Sequence, residues 1–318
     1  MSSINTNTSA MTALQSLAAT NKSLETTQSR ISTGFRVSSA SDNAAYWSIS
    51  TTMRSDNKAN SVVNDALGLG ASKVDTAYAG MEKAIDSVNE IKTKLVAAYG
   101  ASEADKAKIQ TEIKAIQDHL TSSTKGATFS GANWLSVDTT DHAAAGTFDD
   151  VKIVSSFTRA ADGAVSIETI DVDVESMKLF DAGATGDTDA GILASARDAT
   201  GAIVAAGAFG VMDLAVHDGT DGAADADILS MITAVDTALS EMTDAATKLG
   251  AAKNRIDLQT EFTSSLMDSI DRGVGQLVDA DMTKESSRLS ALQVQQQLGI
   301  QALSIANSNS QNILSLFR

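Results

Sequence analysis

Few side chains in this chain could do chemistry, and none is spaced for it. The three histidines, His119, His142 and His217, lie far apart in sequence, and no HExxH-type pair of metal ligands occurs. Cysteine is absent, which excludes a disulfide framework and thiol chemistry. There is no GxSxG elbow, no P-loop and no GxGxxG turn. Carboxylates are abundant, 40 Asp and Glu against 24 Lys and Arg. Asp187-Thr188-Asp189 and the run Asp218 to Asp227 have the content of calcium loops but not the ligand spacing of an EF-hand. They read as solvated acidic loops, and the methionines at helical spacing read as core. No catalytic, cofactor-binding or metal-binding residue is expected, and no enzyme.

The elements that would have to position a site are clearer than any site. Proline is absent and aromatics make up only 4% of the chain. Proline breaks helices, so its absence suits long uninterrupted ones, with cores of Ala, Leu, Ile, Val and Met. From Asp138 to Asp227 the chain carries 18 acidic and 4 basic residues, which supplies −14 of the net charge of −16. An acidic middle argues against a nucleic-acid partner. It marks a solvated region between two association-prone ends. No long apolar run or secretory signal is visible, and no membrane insertion is expected.

The C-terminal stretch Met282 to Arg318 has no charge between Arg288 and Arg318. Leu289, Leu292, Leu303, Ala306, Ile313 and Phe317 alternate three and four apart once Gln296, Gly299 and Ser310 fill the gaps, a heptad stripe. A second face carries Ala291, Val294, Leu298 and Ile305, and Leu316 adds to the apolar end. Near the N-terminus, Ala10, Leu14, Leu17, Leu24 and Ile31 form a similar stripe with Asn21 and Gln28. The two uncharged heptad segments are expected to pair. Between Ser32 and Ala45 the Ser and Asx residues predict a connector, with Ser41 or Asp42 as N-cap of the next helix.

The strongest periodicity is Val74, Ala77, Met81, Ala84, Val88, Ile91, Leu95 and Ala98, three and four apart without a miss. It predicts a helix packed lengthwise on another. Ser102 to Asp105 has the form of a capping box, opening a shorter helix through Ile109, Ile113, Ile116 and Leu120. Ile228, Met231, Val235, Ala238, Met242, Ala245, Leu249, Ala252 and Ile256 repeat the long-helix pattern. Between them, Val151 to Val154 and Val165 to Val174 read as strands joined by an Asp162-Gly163 turn. Residues 181–224, rich in Gly, Ala, Asp and Thr, predict a small exposed insertion, poorly packed in places. The fold class is mainly α with a small β-rich middle, in which long antiparallel coiled-coil helices run out and return.

Several stretches resemble one family. Ser29-Arg30-Ile31-Ser32-Thr33-Gly34-Phe35-Arg36-Val37-Ser38-Ser39-Ala40-Ser41-Asp42-Asn43-Ala44-Ala45 resembles the N-terminal signature of bacterial flagellins. Ala127-Thr128-Phe129-Ser130-Gly131 with Leu135 is similar to their Phe-Asn-Gly turn. Leu249-Gly250-Ala251-Ala252-Lys253-Asn254-Arg255-Ile256 resembles their Leu-Gly-Ala-x-x-Asn-Arg motif. Asp279 to Met282, Gln295-Gln296-Gln297 and Gln311 to Arg318 resemble the C-terminal signature.

The resemblance implies a structural subunit that polymerises into the extracellular flagellar filament used for swimming. It implies export through the flagellar type III channel without a cleaved signal peptide. The alternatives are a hook–filament junction protein and a non-flagellar coiled-coil scaffold. Residues 1–43 and 281–318 would form the inner terminal-helix domain with its connector. Residues 44–180 and 225–280 would form a helical core domain with β-hairpins, and 181–224 would face outward. Leu14, Leu17, Leu24, Ile31, Leu289, Leu292, Leu298, Leu303, Ile305, Ile313, Leu316 and Phe317 would drive assembly. Val74, Met81, Val88, Ile91, Leu95, Met242, Leu249 and Ile256 would hold the core coiled coil. The implied partners are further copies of the chain, other flagellins, an export chaperone, the filament cap and the junction proteins. In the family, the segment matching Ser29 to Ser50 is read by a plant immune receptor. Phe35, Asn43, Tyr46 and Trp47 depart from the pattern there, which predicts weak recognition.

Overall fold

A computed structural model describes residues 7–137, 150–160, 162–181, 191–198, 200–203, 209–218 and 222–315, with side chains described as far as residue 308. Among these residues the order is α1 (Thr8–Thr33), α2 (Ala44–Ala98), α3 (Glu103–Gly126), β1 (Ser136–Val137), β2 (Val151–Arg159), β3 (Val165–Val172), a 3₁₀ turn (Glu175–Met177), β4 (Phe180–Asp181), α4 (Asp225–Val278) and α5 (Met282–Ser315). β2 and β3 pair antiparallel, and β1 and β4 parallel. The chain forms two compact units. The first comprises Met1–Lys58 with Leu266–Arg318 and the second Ala59–Ser265. They divide within α2 and α4, whereas the sequence-based division places the boundaries at the connectors 43/44 and 280/281.

In the second unit, the α2 stripe from Val74 to Ala98 is buried throughout, and so is the α4 stripe from Ile228 to Ile256. This includes every residue assigned to the coiled-coil core: Val74, Met81, Val88, Ile91, Leu95, Met242, Leu249 and Ile256. The ion pairs Lys92–Asp236 and Asp75–Lys253 cross between the helices in one antiparallel register. α3 turns back along α2 and is tied to it by Lys94–Glu112 at 2.6 Å, and the carboxylate raises the Lys94 pKa.

Two glycines inside α2 explain how non-helical chain packs on it. A Cβ at Gly70 would lie 2.5 Å from Cγ2 of Ile153, and one at Gly80 would lie 2.6 Å from Cδ1 of Leu135. Each glycine costs a helix interior about 1 kcal/mol relative to alanine. Here the missing side chains let Ile153 and Leu135 reach the helix and bury fully.

Two local expectations are corrected. Helix α2 is capped by Asn43, whose Oδ1 accepts from the Tyr46 N–H at 3.2 Å, and not by Ser41 or Asp42. Asp42 instead accepts from the backbone N–H groups of Ser38 and Ser39, both at 3.0 Å. Ser102 does stand at the N-cap of α3 but makes no side-chain cap bond. Its hydroxyl donates to Asp105 at 2.7 Å, because a short carboxylate in the first turn is a stronger acceptor in reach.

Within 181–224, Leu193, Arg197, Val211, Leu214 and Val216 are buried, while Ile203 is 42% exposed. Side chains of α3 and α4 fasten this segment mainly through its backbone. Gln110 donates to the Leu214 carbonyl and accepts from the Val216 N–H. Gln117 donates to the Val211 carbonyl at 2.9 Å, and Lys106 to the Ala223 carbonyl at 2.8 Å. Arg197 makes two bonds to Glu241 of α4. Small residues with scattered apolar ones carry no period, so this packing leaves no pattern in the sequence.

Candidate functional site

The site begins with how α1 is started and stopped. Asn7 caps it, accepting from the Ala10 N–H at 3.0 Å. Gly34 ends it in the left-handed region at φ 76°, its N–H bonded to the Arg30 carbonyl. Only glycine holds that conformation without strain.

Between those ends α1 lies antiparallel along α5 in the first unit. The Asn7 amide donates to the Ala306 carbonyl at 2.9 Å, Gln296 donates to Asn21 at 2.8 Å, and Arg30 pairs with Glu285 at 3.2 Å. The paired residue numbers sum to 313, 317 and 315, so the antiparallel register holds to within about one helical turn. On α5 the covered stripe is Leu289, Leu292, Gln296, Gly299, Leu303 and Ala306, as the heptad reading predicts. Gly299 is small enough for Leu17 to approach, since a Cβ there would meet Leu17 Cδ1 at 3.1 Å.

On α1 the phase of the stripe differs from expectation. The covered residues are Ala10, Ala13, Leu17, Thr20, Leu24, Thr27 and Ile31, while Leu14, Asn21 and Gln28 are exposed. Choosing the larger apolar residue, Leu14, displaces the pattern by one position. The structure prefers small Ala13, Thr20 and Thr27, which let the helices come close.

The pair leaves an apolar face open. Met11 and Leu14 on α1, and Val294, Leu298, Ile300 and Ile305 on α5, are each more than half exposed. Val294, Leu298 and Ile305 belong to the second face anticipated for the C-terminal helix, whereas Ile300 lies on another side of it. The Ile313 side chain, Leu316 and Phe317 lie outside the described residues.

The connector joins α1 to the end of α4. The Arg36 and Val37 N–H groups both donate to the Val278 carbonyl, at 2.6 and 3.2 Å. The Arg36 guanidinium donates to the Leu277 carbonyl at 2.9 Å, a cation on the unsatisfied C-terminal carbonyls of a helix. Arg54 lies over the Phe35 ring, 4.7 Å from its centre. Hydrogen bonds from Ser39 and Ser38 hold the Asp42 carboxyl below the usual carboxylate range. Tyr46 and Trp47, by contrast, stay exposed.

Nothing in this arrangement gathers reactive groups. Among the described residues no three His, Cys, Asp or Glu side chains are grouped to hold a metal ion. No helix among them is long and apolar enough to cross a membrane. What the arrangement offers is a two-helix pair with one apolar face closed and another open.

The family model for the bacterial flagellin N-terminal helical region matches residues 4–140, and that for the C-terminal helical region matches residues 232–317. The chain is 52% identical to a flagellin of Brucella melitensis, covering all of both chains. This chain belongs to the bacterial flagellin family. It is likewise 50% identical to flagellin C of Rhizobium meliloti strain 1021 and 45% identical to flagellin A of the same strain, with complete coverage of each. It is therefore a structural subunit that self-polymerises into the extracellular flagellar filament. Relatives matched from end to end as flagellins favour the filament over the hook–filament junction.

The contacts that set register were not anticipated as such. Arg30 and Glu285 lie outside both apolar stripes, and Asn21 and Gln296 fill gaps in them. The signal available was their position: each stands in or beside the heptad stripe of a segment that otherwise avoids charge.

Proposed function

We propose that the chain polymerises through the open face of the α1/α5 pair, which forms the inner layer of the filament. The observation that carries this is the division of labour on α5. One stripe is closed against α1, while Val294, Leu298 and Ile305 stand exposed on the same helix. Burying apolar surface stabilises by about 25 cal/mol per Å², and the gain repeats at each subunit. Contacts between unlike surfaces that do not close on themselves build helical fibres. In this reading Leu14, Leu298, Ile305, Ile313, Leu316 and Phe317 meet neighbouring copies. Leu17, Leu24, Ile31, Leu289, Leu292 and Leu303 hold the pair itself.

The ends fold on assembly, and their ordering cost slows spontaneous polymerisation. The chain is exported unfolded without a cleaved signal peptide, meeting an export chaperone, the junction proteins and the filament cap on its way. Lack of cysteine and proline suits a thread that must pass a channel and refold. The segment 181–224 faces outward, and other flagellins co-assemble. The test is removal of residues 307–318. Filaments should be abolished while the second unit keeps its helical signal and melting transition. Filaments of normal length from that truncation overturn the proposal.

A second reading concerns recognition of residues 29–50 by a plant receptor. Asn43 caps α2 and Phe35 packs under Arg54, so these two departures have work inside the chain. Tyr46 and Trp47 add exposed rings where the family pattern is small. For a peptide laid in a preformed groove, such bulk excludes binding by clash. A peptide of residues 29–50 should elicit a weak leaf oxidative burst, partly restored by Asn43→Asp, Tyr46→Gly and Trp47→Leu. An unaltered peptide as potent as one with the family pattern refutes this.

A further inference from the structure

The methionines of this chain fall into two groups. Met81, Met177, Met231 and Met242 are buried, and Met53, Met212 and Met267 are half-buried. Met11 and Met282 stand out, at 64% and 47% exposed. Their surroundings differ. Met282 opens α5 beside Thr283, Lys284 and Glu285, a polar stretch. Met11 shares one side of α1 with Leu14 and Ala18, three and seven residues on, and both of these are exposed. No charge occurs in α1 before Lys22. Of the side chains more than half exposed on the α1/α5 pair, Met11, Leu14, Val294, Leu298, Ile300 and Ile305, only Met11 carries an atom that a peroxide oxidises under mild conditions. The chain has no cysteine to react in its place.

We propose that Met11 is a reversible oxidation site that decides whether a free subunit can join a filament. The proposal rests on the reading that the open face of the pair is buried between copies. The oxidant is hydrogen peroxide. A lone pair of the Met11 sulfur attacks one peroxide oxygen, the S–O bond forms as the O–O bond breaks, and the departing hydroxide collects the proton of the transferred oxygen and leaves as water. Sulfur loses two electrons and the peroxide gains them. The product replaces a soft apolar thioether with a polar sulfoxide. In the free subunit water solvates the new S–O group. In a dry contact that acceptor is stripped of water, and Leu14 and Ala18 beside it offer no donor.

Two consequences make the site a switch and not mere damage. Burial in the filament shields the thioether, so oxidation acts on subunits that are not yet incorporated. The sulfoxide stays exposed in the excluded subunit, where a reductase can reach it. Reduction by a dithiol releases the oxygen as water, leaves the thiols as a disulfide and returns the thioether. This chain has no thiol of its own, so the reductant must be a separate protein.

The experiment uses the full chain, Met11→Leu and Met282→Leu. Monomers are treated with hydrogen peroxide, Met11 sulfoxide is quantified by peptide mass spectrometry, and growth from sheared filament seeds is followed. Oxidised parent should elongate at least ~10-fold more slowly than untreated parent. Oxidised Met11→Leu should grow like untreated protein, and Met282→Leu should remain as sensitive as the parent. Met11 in intact filaments should oxidise at least ~10-fold more slowly than in monomers, because susceptibility follows access. Met11→Leu as sensitive as the parent overturns the proposal, and so does equal oxidation of Met11 in filaments and monomers. If Met11→Leu grows poorly before any oxidation, the parent decides. Methionine sulfoxide reductases for both epimers with dithiothreitol should restore its growth in step with loss of the Met11 sulfoxide, and no recovery refutes the site. Normal growth of fully Met11-oxidised parent, beside loss of filaments on removing residues 307–318, would sink the switch and leave the polymerisation reading standing.

Discussion

Two antiparallel helix pairs in this chain are finished to different degrees. In the second unit, α2 and α4 close their apolar stripes completely, and α3 with the packed loops covers more of their surface. In the first unit, the α1/α5 seam is built from Ala, Thr, Gln and Gly as much as from Leu. Among the described residues along it, only Thr27, Leu292 and Glu285 are buried. A lone pair of helices can bury one stripe of each, and a third layer is needed to bury more. The comparison teaches that one chain holds a helix pair whose apolar stripes are closed within its own unit and another that leaves apolar side chains exposed.

The sharpest way to break that contrast is to put the same change into each pair. Val88→Asp places an unpaired carboxylate among fully buried side chains. It should cost on the order of 3–5 kcal/mol, lowering the monomer melting temperature by roughly 10 °C for a unit of this size. A calorimetric scan indistinguishable from the parent would show that the α2 seam is open.

Leu298→Asp is the matched change on the open face. Its effect on monomer stability should stay within about 0.5 kcal/mol, as for other exposed positions. The concentration of subunits needed to sustain filaments should rise about tenfold. Sedimentation of polymer at matched concentrations measures it, and a loss of monomer stability as large as that of Val88→Asp would erase the distinction between the pairs.

The smallest expected effect lies in the connector between α1 and α2. The Asp42 pKa is lowered from about 3.8 by its bonds to Ser39 and Ser38. A depressed carboxylate contributes stability that is fully present above its unfolded pKa and lost as pH falls through the folded one. Acidification below about pH 4 should therefore open the Ser38–Asp42 turn first. Asp42→Asn should speed amide exchange at Ser38 and Ser39 near neutrality and make no difference in strong acid. Equal exchange in both proteins at neutral pH would show that the charge is not what holds the turn.

Legibility in the sequence followed periodicity. The α2 and α4 stripes could be read residue by residue, because long helices packed lengthwise repeat every three and four positions. The hairpin turn at Asp162-Gly163 was equally visible; Gly163 adopts φ 88° there, and Asp162 accepts from the Ala164 N–H at 2.9 Å. The α1 stripe was legible in period but not in phase, since Leu14 and Ala13 fit the same spacing and only the partner helix chooses between them. The cap of α2, Asn43, stands in a run of Ser and Asx residues, any of which can accept a backbone hydrogen bond, so the sequence does not single it out.

The residues by themselves determined the helical class, the out-and-back order, the sticky ends and the family, because each of these is a local pattern repeated along one dimension. The tertiary structure alone decided which side of α1 faces α5, that Gly70 and Gly80 are docking points, and that Gln110, Gln117 and Lys106 bind the backbone of 211–223. It also decided that Ser155 is the extra residue of a β-bulge, between the Val154–Thr169 and Ser156–Glu168 pairs. The physical reason is common to all of these. Each depends on what stands opposite a residue in space, across separations in sequence that carry no period.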